Sequence, residues 1–333
     1  MPNLEDDLPQ KAGKLIAEYS MVKSGDSVLV AFSGGSDSSA LLFFLARHFD
    51  KKENIFAAHL NHMIRGAESE RDEKFAVEVC EKYRIKIFSE RRDIPSIAKN
   101  SKRNLEEAAR EERYAFLRKV AASIGENVKI ATAHTASDNA ETVIFNLARG
   151  CGLDGLCGIA PVRENIIRPL LSCAKEDILR YCEKNDIAYV EDSTNSDENY
   201  ARNFIRRNIT SKLGEKFGRP DENIFKTSQT LRHLSDFIDS MAGDMASDPD
   251  GVDVGSLLAS PKALQQAAIG KLYENAVFPE RRKLEHRHIE YVGQLLSKKG
   301  KSVDLPGLVS ARVSKNRLSM EKISGKKTSR NRK

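Results

Sequence analysis

Between Val28 and Ala46 the chain reads VLVAFSGGSDSSALLFFLA: a short apolar run, a polar interruption of Ser, Gly and Asp, then apolar positions at helical spacing. The run predicts a buried strand and Leu41, Leu42, Phe44 and Leu45 predict the apolar face of a helix. Similar alternation continues to about Asn185. Strands are predicted at 27–32, 55–60, 86–90, 128–133 and 166–170, and helices at 36–48, 69–83, 104–123, 138–149 and 175–184. Strands alternating with helices specify an α/β fold with a doubly wound parallel sheet, whose ligands bind beyond the carboxyl ends of the strands. Beyond Arg219 the strand signals fade. Segments 221–245 and 261–276 read as helices on either side of a turn-rich stretch, and 302–323 reads as short strands ahead of a basic tail. The expected organisation is a catalytic α/β domain over 1–215, a small, mainly helical C-terminal domain over 216–324 ending in short strands, and a disordered tail over 325–333.

Bulk properties narrow the class without choosing an activity. The chain has 333 residues, 40% hydrophobic and 31% charged, which suits a globular protein large enough for two domains. The longest apolar run, Ala40 to Ala46, is too short to span a bilayer, and the acidic start MPNLEDDLPQ lacks a signal-peptide pattern, so a cytoplasmic protein with no membrane partner is expected. Five cysteines (Cys80, Cys151, Cys157, Cys173, Cys182) include no C-x-x-C pair and predict reduced thiols. Charge is uneven. Residues 199–220 carry six basic side chains (Arg202, Arg206, Arg207, Lys212, Lys216, Arg219) against Glu215, and the last thirteen residues carry six against Glu321. Such clusters fit a polyanion surface, or simply a solvated face.

The polar interruption is where chemistry enters. At a strand-to-helix junction the first N–H groups of the helix lack partners, the helix dipole is positive, and glycines let an anion approach the main chain. S-G-G-x-D-S is neither a Walker loop, which needs a Lys before its final hydroxyl residue, nor a G-x-G-x-x-G fingerprint. Asp37 would repel a bare phosphate unless a divalent cation lay between them, so the loop points to a metal-nucleotide; the alternative is a serine-rich cap in which Asp37 complements the dipole. Asp138 and Glu141, after the fourth strand, stand three apart on the first turn of a helix, placed to share a cation with Asp37, to hold an ammonium group, or to cap the helix.

Taken in order, SGGSDS at 33–38, HLNHMIRG at 59–66, NLEEAAREERYAFL at 104–117, AHTASDNAET at 133–142 with the following ARGCGLDGLCGI, IRPLL at 167–171 and EDSTNSDENYARNFIRRNI at 191–209 closely resemble the PP-loop, or N-type, ATP pyrophosphatases, and within them the tRNA(Ile)-lysidine synthetases. The motifs cover roughly the first two-thirds of the chain in the order of that family. Thr135 stands where the family commonly has a second His, and the length leaves little room for the second C-terminal domain of longer members.

The resemblance implies an adenine nucleotide alpha hydrolase-like fold and a ligase. In such enzymes the C2 carbonyl oxygen of the wobble cytidine of tRNA(Ile) attacks the α-phosphate of ATP, pyrophosphate leaves, and the ε-amine of free L-lysine then displaces AMP to give lysidine. ATP is a substrate, Mg²⁺ the expected cofactor, and tRNA(Ile) and lysine the expected partners; a homodimer is compatible with it. Carried over residue by residue, Ser33, Gly34, Gly35, Ser36, Asp37 and Ser38 contact the ATP phosphates, Asp37 and Asp138 hold the metal and act in catalysis, and Glu141 receives lysine. His134 touches the phosphates or the adenylated base. Arg110 and Arg113 reach the α-phosphate or the target nucleotide, Arg110 counted with the ATP contacts and Arg113 with the catalytic set; pairing with Glu106 or Glu107 is the alternative for Arg110. His59 and His62 belong to the adenosine and substrate wall, since no third ligand with zinc spacing stands near them. Arg202, Arg206 and Arg207 grip tRNA phosphates. Two other readings stay open: a tRNA-thiolating relative, using Cys151 or Cys157, and a non-catalytic RNA-binding protein on a relict nucleotide fold.

Overall fold

A computed structural model describes residues 8–49, 52–190, 201–279, 283–296 and 302–323, with the side chains of 201 and 202 left undescribed. It divides into two compact units, residues 1–229 and 230–333. The DSTN part of the 191–209 motif, the Arg202 side chain and the 325–333 tail lie outside the described residues.

The first unit runs α1 (Leu8–Glu18), β1 (Ser27–Ala31), α2 (Ser36–His48), β2 (Ile55–Asn61), α3 (Ala67–Tyr83), β3 (Lys86–Arg91), α4 (Ile94–Ser101), α5 (Leu105–Ile124), β4 (Val128–Ala131), α6 (Ala136–Arg149), α7 (Leu153–Leu156), β5 (Val162–Arg163), β6 (Ile166–Ile167) and α8 (Lys175–Lys184). After the undescribed stretch come α9 (Ala201–Phe204), a π-helical segment (Ile205–Thr210), α10 (Ser211–Phe217) and α11 (Pro220–Met245), which carries the chain into the second unit. The sheet order is β3-β2-β1-β4-β6-β5, parallel except for the edge pair β5–β6.

Period-two alternation explains the layering. Val28, Val30 and Phe32 face a core built with α1, α2 and α8, while Leu29 turns to the opposite core, where Phe116, Leu117 and Val120 of α5 pack on Val128 and Ile130 of β4. From β1 the chain winds outward through β2 and β3, then returns to the other side at β4. The switch point therefore falls between β1 and β4, and it brings the loop after β1 beside the segment after β4.

Several elements differ from expectation. The fifth strand shrinks to Ile166–Ile167, because Arg168 and Pro169 turn the chain away after it and a two-residue antiparallel partner precedes it. His59 and Asn61 lie inside β2 rather than after it, since their buried side chains continue the strand against β3. Helices α1 and α4 were not anticipated; α4 starts on the Asp93 cap, which accepts from Ser96 N–H, with Pro95 in its first turn.

In the second unit α12 (Val254–Ala259), α13 (Lys262–Val277) and α14 (His286–Leu295) accompany β7 (Val252–Asp253), β8 (Ser302–Leu305), β9 (Val309–Ser314) and β10 (Arg317–Lys322). The strands form one antiparallel sheet in the order β7-β10-β9-β8, over a core of Leu257, Ile269, Tyr273, Val309 and Leu318. The β7 pairing lies inside the stretch that reads from sequence as a turn.

Candidate active site

Ser33, Gly34 and Gly35 leave the end of β1, and α2 begins at Ser36 without a side-chain cap. Gly34 has φ +89, and a Cβ there would press on Phe75 and Val190 at 3.2 Å each, so both backbone sign and space call for glycine. The hydroxyls brace the loop from within. Ser38 donates to Gly35 O at 3.0 Å, Ser39 to Gly34 O at 3.2 Å, and Ser33 N–H donates to Ser38 Oγ at 3.3 Å. Of the two readings of this stretch, serine caps and anion receptor, the side-chain cap is absent, and the first-turn N–H groups keep no side-chain acceptor.

Lys175, at the start of α8, was missed by sequence reasoning. Its Nζ donates to Ser36 Oγ at 2.8 Å and to Asp37 Oδ1 at 2.5 Å, which puts a cation at the loop that the Walker comparison had failed to find. The neighbouring Asp177 fixes this helix: it is buried, receives Lys11 Nζ at 2.6 Å and Arg219 Nη1 at 3.3 Å, and accepts the Ala174 N–H at 3.3 Å. Burial pushes the Asp37 carboxyl up, against the pull of Lys175; Asp138 also repels it, so the two carboxylates are close enough to sense each other.

On the far side of the switch point, Thr135 caps α6 and forms a capping box with Asp138. Thr135 N–H donates to Asp138 Oδ2 at 2.8 Å. Capping and site are therefore compatible for Asp138: one oxygen holds the cap while Oδ1 faces Arg206 Nη2 at 3.8 Å. Glu141 takes no part in the box. It is 3% exposed and is held by Arg206, whose Nε donates to Oε1 at 2.6 Å and Nη2 to Oε2 at 3.2 Å. Arg206 sits in the π-helical segment, a geometry that commonly re-aims side chains at functional sites. The Glu141, Asp138 and Asp37 carboxylates together hold its guanidinium pKa above the ordinary arginine value, against burial. Sequence reading placed Arg206 on tRNA phosphates; its side chain, though exposed like that of Arg207, lies against the Asp138 and Glu141 carboxylates.

His134 Nδ1 hydrogen-bonds Thr132 Oγ1 at 2.9 Å, fixing the ring at the end of β4. His59 turns inward and its Nδ1 donates to Phe32 O at 2.9 Å. His62 is pushed down to about 4 by burial, then by the charge of Arg113, which places those two side chains near each other. Arg110 is exposed and lies over the Tyr114 ring at 5.0 Å rather than pairing with Glu106 or Glu107. Arg113 is exposed as well.

Among the described residues no group of three or more His, Cys, Asp or Glu could hold a metal. Asp37 and Asp138 supply two hard oxygens, which suits a cation that takes its remaining ligands from phosphates and water, as Mg²⁺ does with a nucleotide. The thiols offer little. Cys157 is buried and donates to Leu153 O, and burial pushes Cys80 and Cys173 up to about 12 and Cys182 to about 11; only Cys151 is exposed.

A family model described as the PP-loop domain matches residues 4–213. The tRNA(Ile)-lysidine synthase of Thermosipho africanus is 44% identical over 232 residues, covering 69% of this chain and 54% of that protein. The Thermotoga maritima protein of the same name is 40% identical over 226 residues, 67% and 54%, and that of Clostridium acetobutylicum 34% identical over 308 residues, 89% and 66%. The chain thus spans about half the length of the first two curated relatives it matches. Among solved structures, the U34-tRNA thiolase NcsA from Methanococcus maripaludis with its [4Fe-4S] cluster superposes with a TM-score of 0.55 at 19% identity, covering 68% of this chain and 78% of that one, a likeness of fold alone. No described helix is long and apolar enough to cross a membrane.

Proposed function

The chain belongs to the PP-loop domain family, and from that premise we propose that it is a tRNA(Ile)-lysidine synthetase acting in the cytoplasm, using ATP, free lysine and tRNA(Ile). One observation carries the reading beyond ATP use: next to an anion-receptive glycine loop stands Glu141, buried and already engaged by a cationic side chain. A site that takes a polyphosphate on one side and a cationic amine on the other fits a ligase joining an amine to an adenylated carbonyl.

The chain's own groups divide the work. The Ser33–Ser38 loop and Lys175 hold the β- and γ-phosphates, the leaving group of the first step, so the α-phosphate stays open to in-line attack by the cytidine O2. Asp37 and Asp138 would hold Mg²⁺, which supplies charge neutralisation on the departing pyrophosphate. Arg113 and His134 stabilise charge at the α-phosphate. Glu141 then receives the lysine ε-ammonium in exchange for, or alongside, the Arg206 guanidinium, and orients it toward C2 as it gives up its proton. Attack on C2 forms the C–N bond and breaks the C–O bond to AMP. Arg202 and Arg207 contribute backbone contacts to tRNA.

The test is to incubate the protein with a tRNA(Ile) transcript, ATP and isotopically labelled lysine, digest the RNA and weigh the nucleosides. Lysidine, with one AMP and one pyrophosphate per product, is expected. A thiolated nucleoside formed without lysine, or RNA binding with no nucleotide turnover, would overturn the assignment.

A further inference from the structure

Arg168 follows β6 directly and is 5% exposed. Its Nη1 donates to Ala160 O at 2.6 Å, while Nε has no acceptor among the described residues. Arg65 and Arg92, both half-buried, each pair with a carboxylate; Arg168 pairs with none among the described residues. Burial lowers its pKa, Tyr114 opposes that shift, and Arg110 and Arg163 add a smaller repulsion. Both neighbours are exposed and, among the described residues, neither forms an ion pair. Arg110 is held over the Tyr114 ring at 5.0 Å, Tyr114 packs on the cluster that contains Ile166, and Arg163 on the edge strand β5 stands opposite Ile166, on the face that strand alternation gives Arg168 as well.

A buried guanidinium with an unsatisfied Nε, flanked by two exposed ones and with no carboxylate partner among the described residues, calls for an external anion, and arginine is suited to bidentate phosphate binding. ATP already has its receptor two strands away, since β4 separates β6 from β1, a spacing of about 10 Å. We propose that Arg110, Arg163 and Arg168 form a second phosphate receptor that takes a backbone phosphodiester of the RNA substrate. Arg110 and Arg163 touch the phosphate, and Arg168 acts from behind as a buried charge. The inference rests on the reading of this chain as a tRNA-modifying enzyme and adds a contact that the basic 199–220 segment does not supply.

Binding of a tRNA(Ile) transcript is to be measured over a salt series for the wild-type protein, Arg110→Gln, Arg163→Gln and the double variant, with the KM for ATP in parallel. Each single change is expected to weaken RNA binding about 3- to 10-fold at 0.1 M salt and to reduce the slope of log K against log salt by about 1, and Arg163→Gln is expected to keep the ATP KM within 2-fold of wild type. Unchanged RNA affinity in the double variant overturns the proposal. So does a raised ATP KM with unchanged RNA affinity, which moves the cluster to the nucleotide site. Arg168→Met is informative only if its melting temperature is near wild type; the two exposed positions decide the question without it. A wild-type protein that binds no tRNA sinks the underlying reading, whereas wild-type binding with indifferent variants sinks only this one.

Discussion

The two sides of the switch point are built on different principles. The loop after β1 is held by neutral contacts, hydroxyl to carbonyl and backbone to hydroxyl, with Lys175 as its cation. The start of α6 is held by charge: Asp138 is shared between a cap and Arg206, and Glu141 is locked to the same guanidinium. The first arrangement is a receptor whose backbone is braced by neutral contacts, so a phosphate that takes over Lys175 breaks only the Lys175–Asp37 pair and leaves the loop in place. The second is an exchange site, where an incoming ammonium competes with a cation already present. Preorganisation on one side and replaceable pairing on the other suit a reaction whose first substrate must be held rigidly and whose second must arrive and be consumed.

The contrast breaks most easily at Asp37, the carboxylate on the loop side. Asp37→Asn removes a metal-binding charge and the acceptor of Lys175, and should lower pyrophosphate release at least about 100-fold. tRNA affinity should stay near wild type, because the phosphate-backbone contacts lie elsewhere. Filter binding beside a pyrophosphate assay separates the two; equal losses in both would mean that Asp37 maintains the fold instead.

On the charged side, Glu141→Gln keeps the shape and removes the charge. Adenylated tRNA should still form and accumulate, while the apparent KM for lysine rises about 10-fold or more. The geometry weakens the capping alternative in advance, since the box is closed by Thr135 and Asp138 without Glu141. Failure of adenylation at every lysine concentration would move Glu141 to the metal site, and unchanged turnover would remove it from the reaction.

Lys175→Met tests the fixed receptor more gently. Losing one of several phosphate contacts should raise the ATP KM about 10-fold and leave the lysine KM alone. The side chain is about two-fifths exposed, so the melting temperature should hold. A change in lysine KM equal to that in ATP KM would mean that the two sides are not separable.

Legibility from sequence followed locality. The β1–α2 and β4–α6 junctions could be read because strand, loop and helix are contiguous there, with turn residues and periodicity in agreement. Lys175 and Arg206 reach the site from 139 and 65 residues along the chain from Ser36 and Glu141, and no spacing rule connects them. The nearest signal was a lone Lys at a helix start, which resembles any solvated lysine. Arg206 was singled out for its basic neighbours, but a charge run says nothing about which member turns inward. His59 misled for the opposite reason. Its position after an apolar run suggests a loop residue, yet a partner in Phe32 O makes burial affordable and the strand continues through it.

That histidine gives the smallest effect and the finest test of the contrast. His59 sits against the base of the glycine loop, and burial lowers its pKa; His62, one residue beyond the strand, is lowered to about 4. Both are neutral in the folded state at pH 7, while the unfolded chain takes up protons near 6.5. Between about pH 6.5 and 5 the unfolded state therefore binds more protons, and stability must fall as pH falls, by up to about 1.4 kcal/mol per pH unit for each histidine. Carboxylates whose pKa is lowered, such as Glu73, contribute at lower pH, and Asp37, whose pKa burial raises, works in the opposite sense to the histidines. Denaturant unfolding at pH 7, 6 and 5 should show the slope, and His62→Gln should flatten it. Hydrogen exchange, corrected for its intrinsic pH dependence, should report loosening in 56–62 and the glycine loop before 135–142. Equal loosening on both sides would mean that the neutral and the charged halves of the site open as one unit.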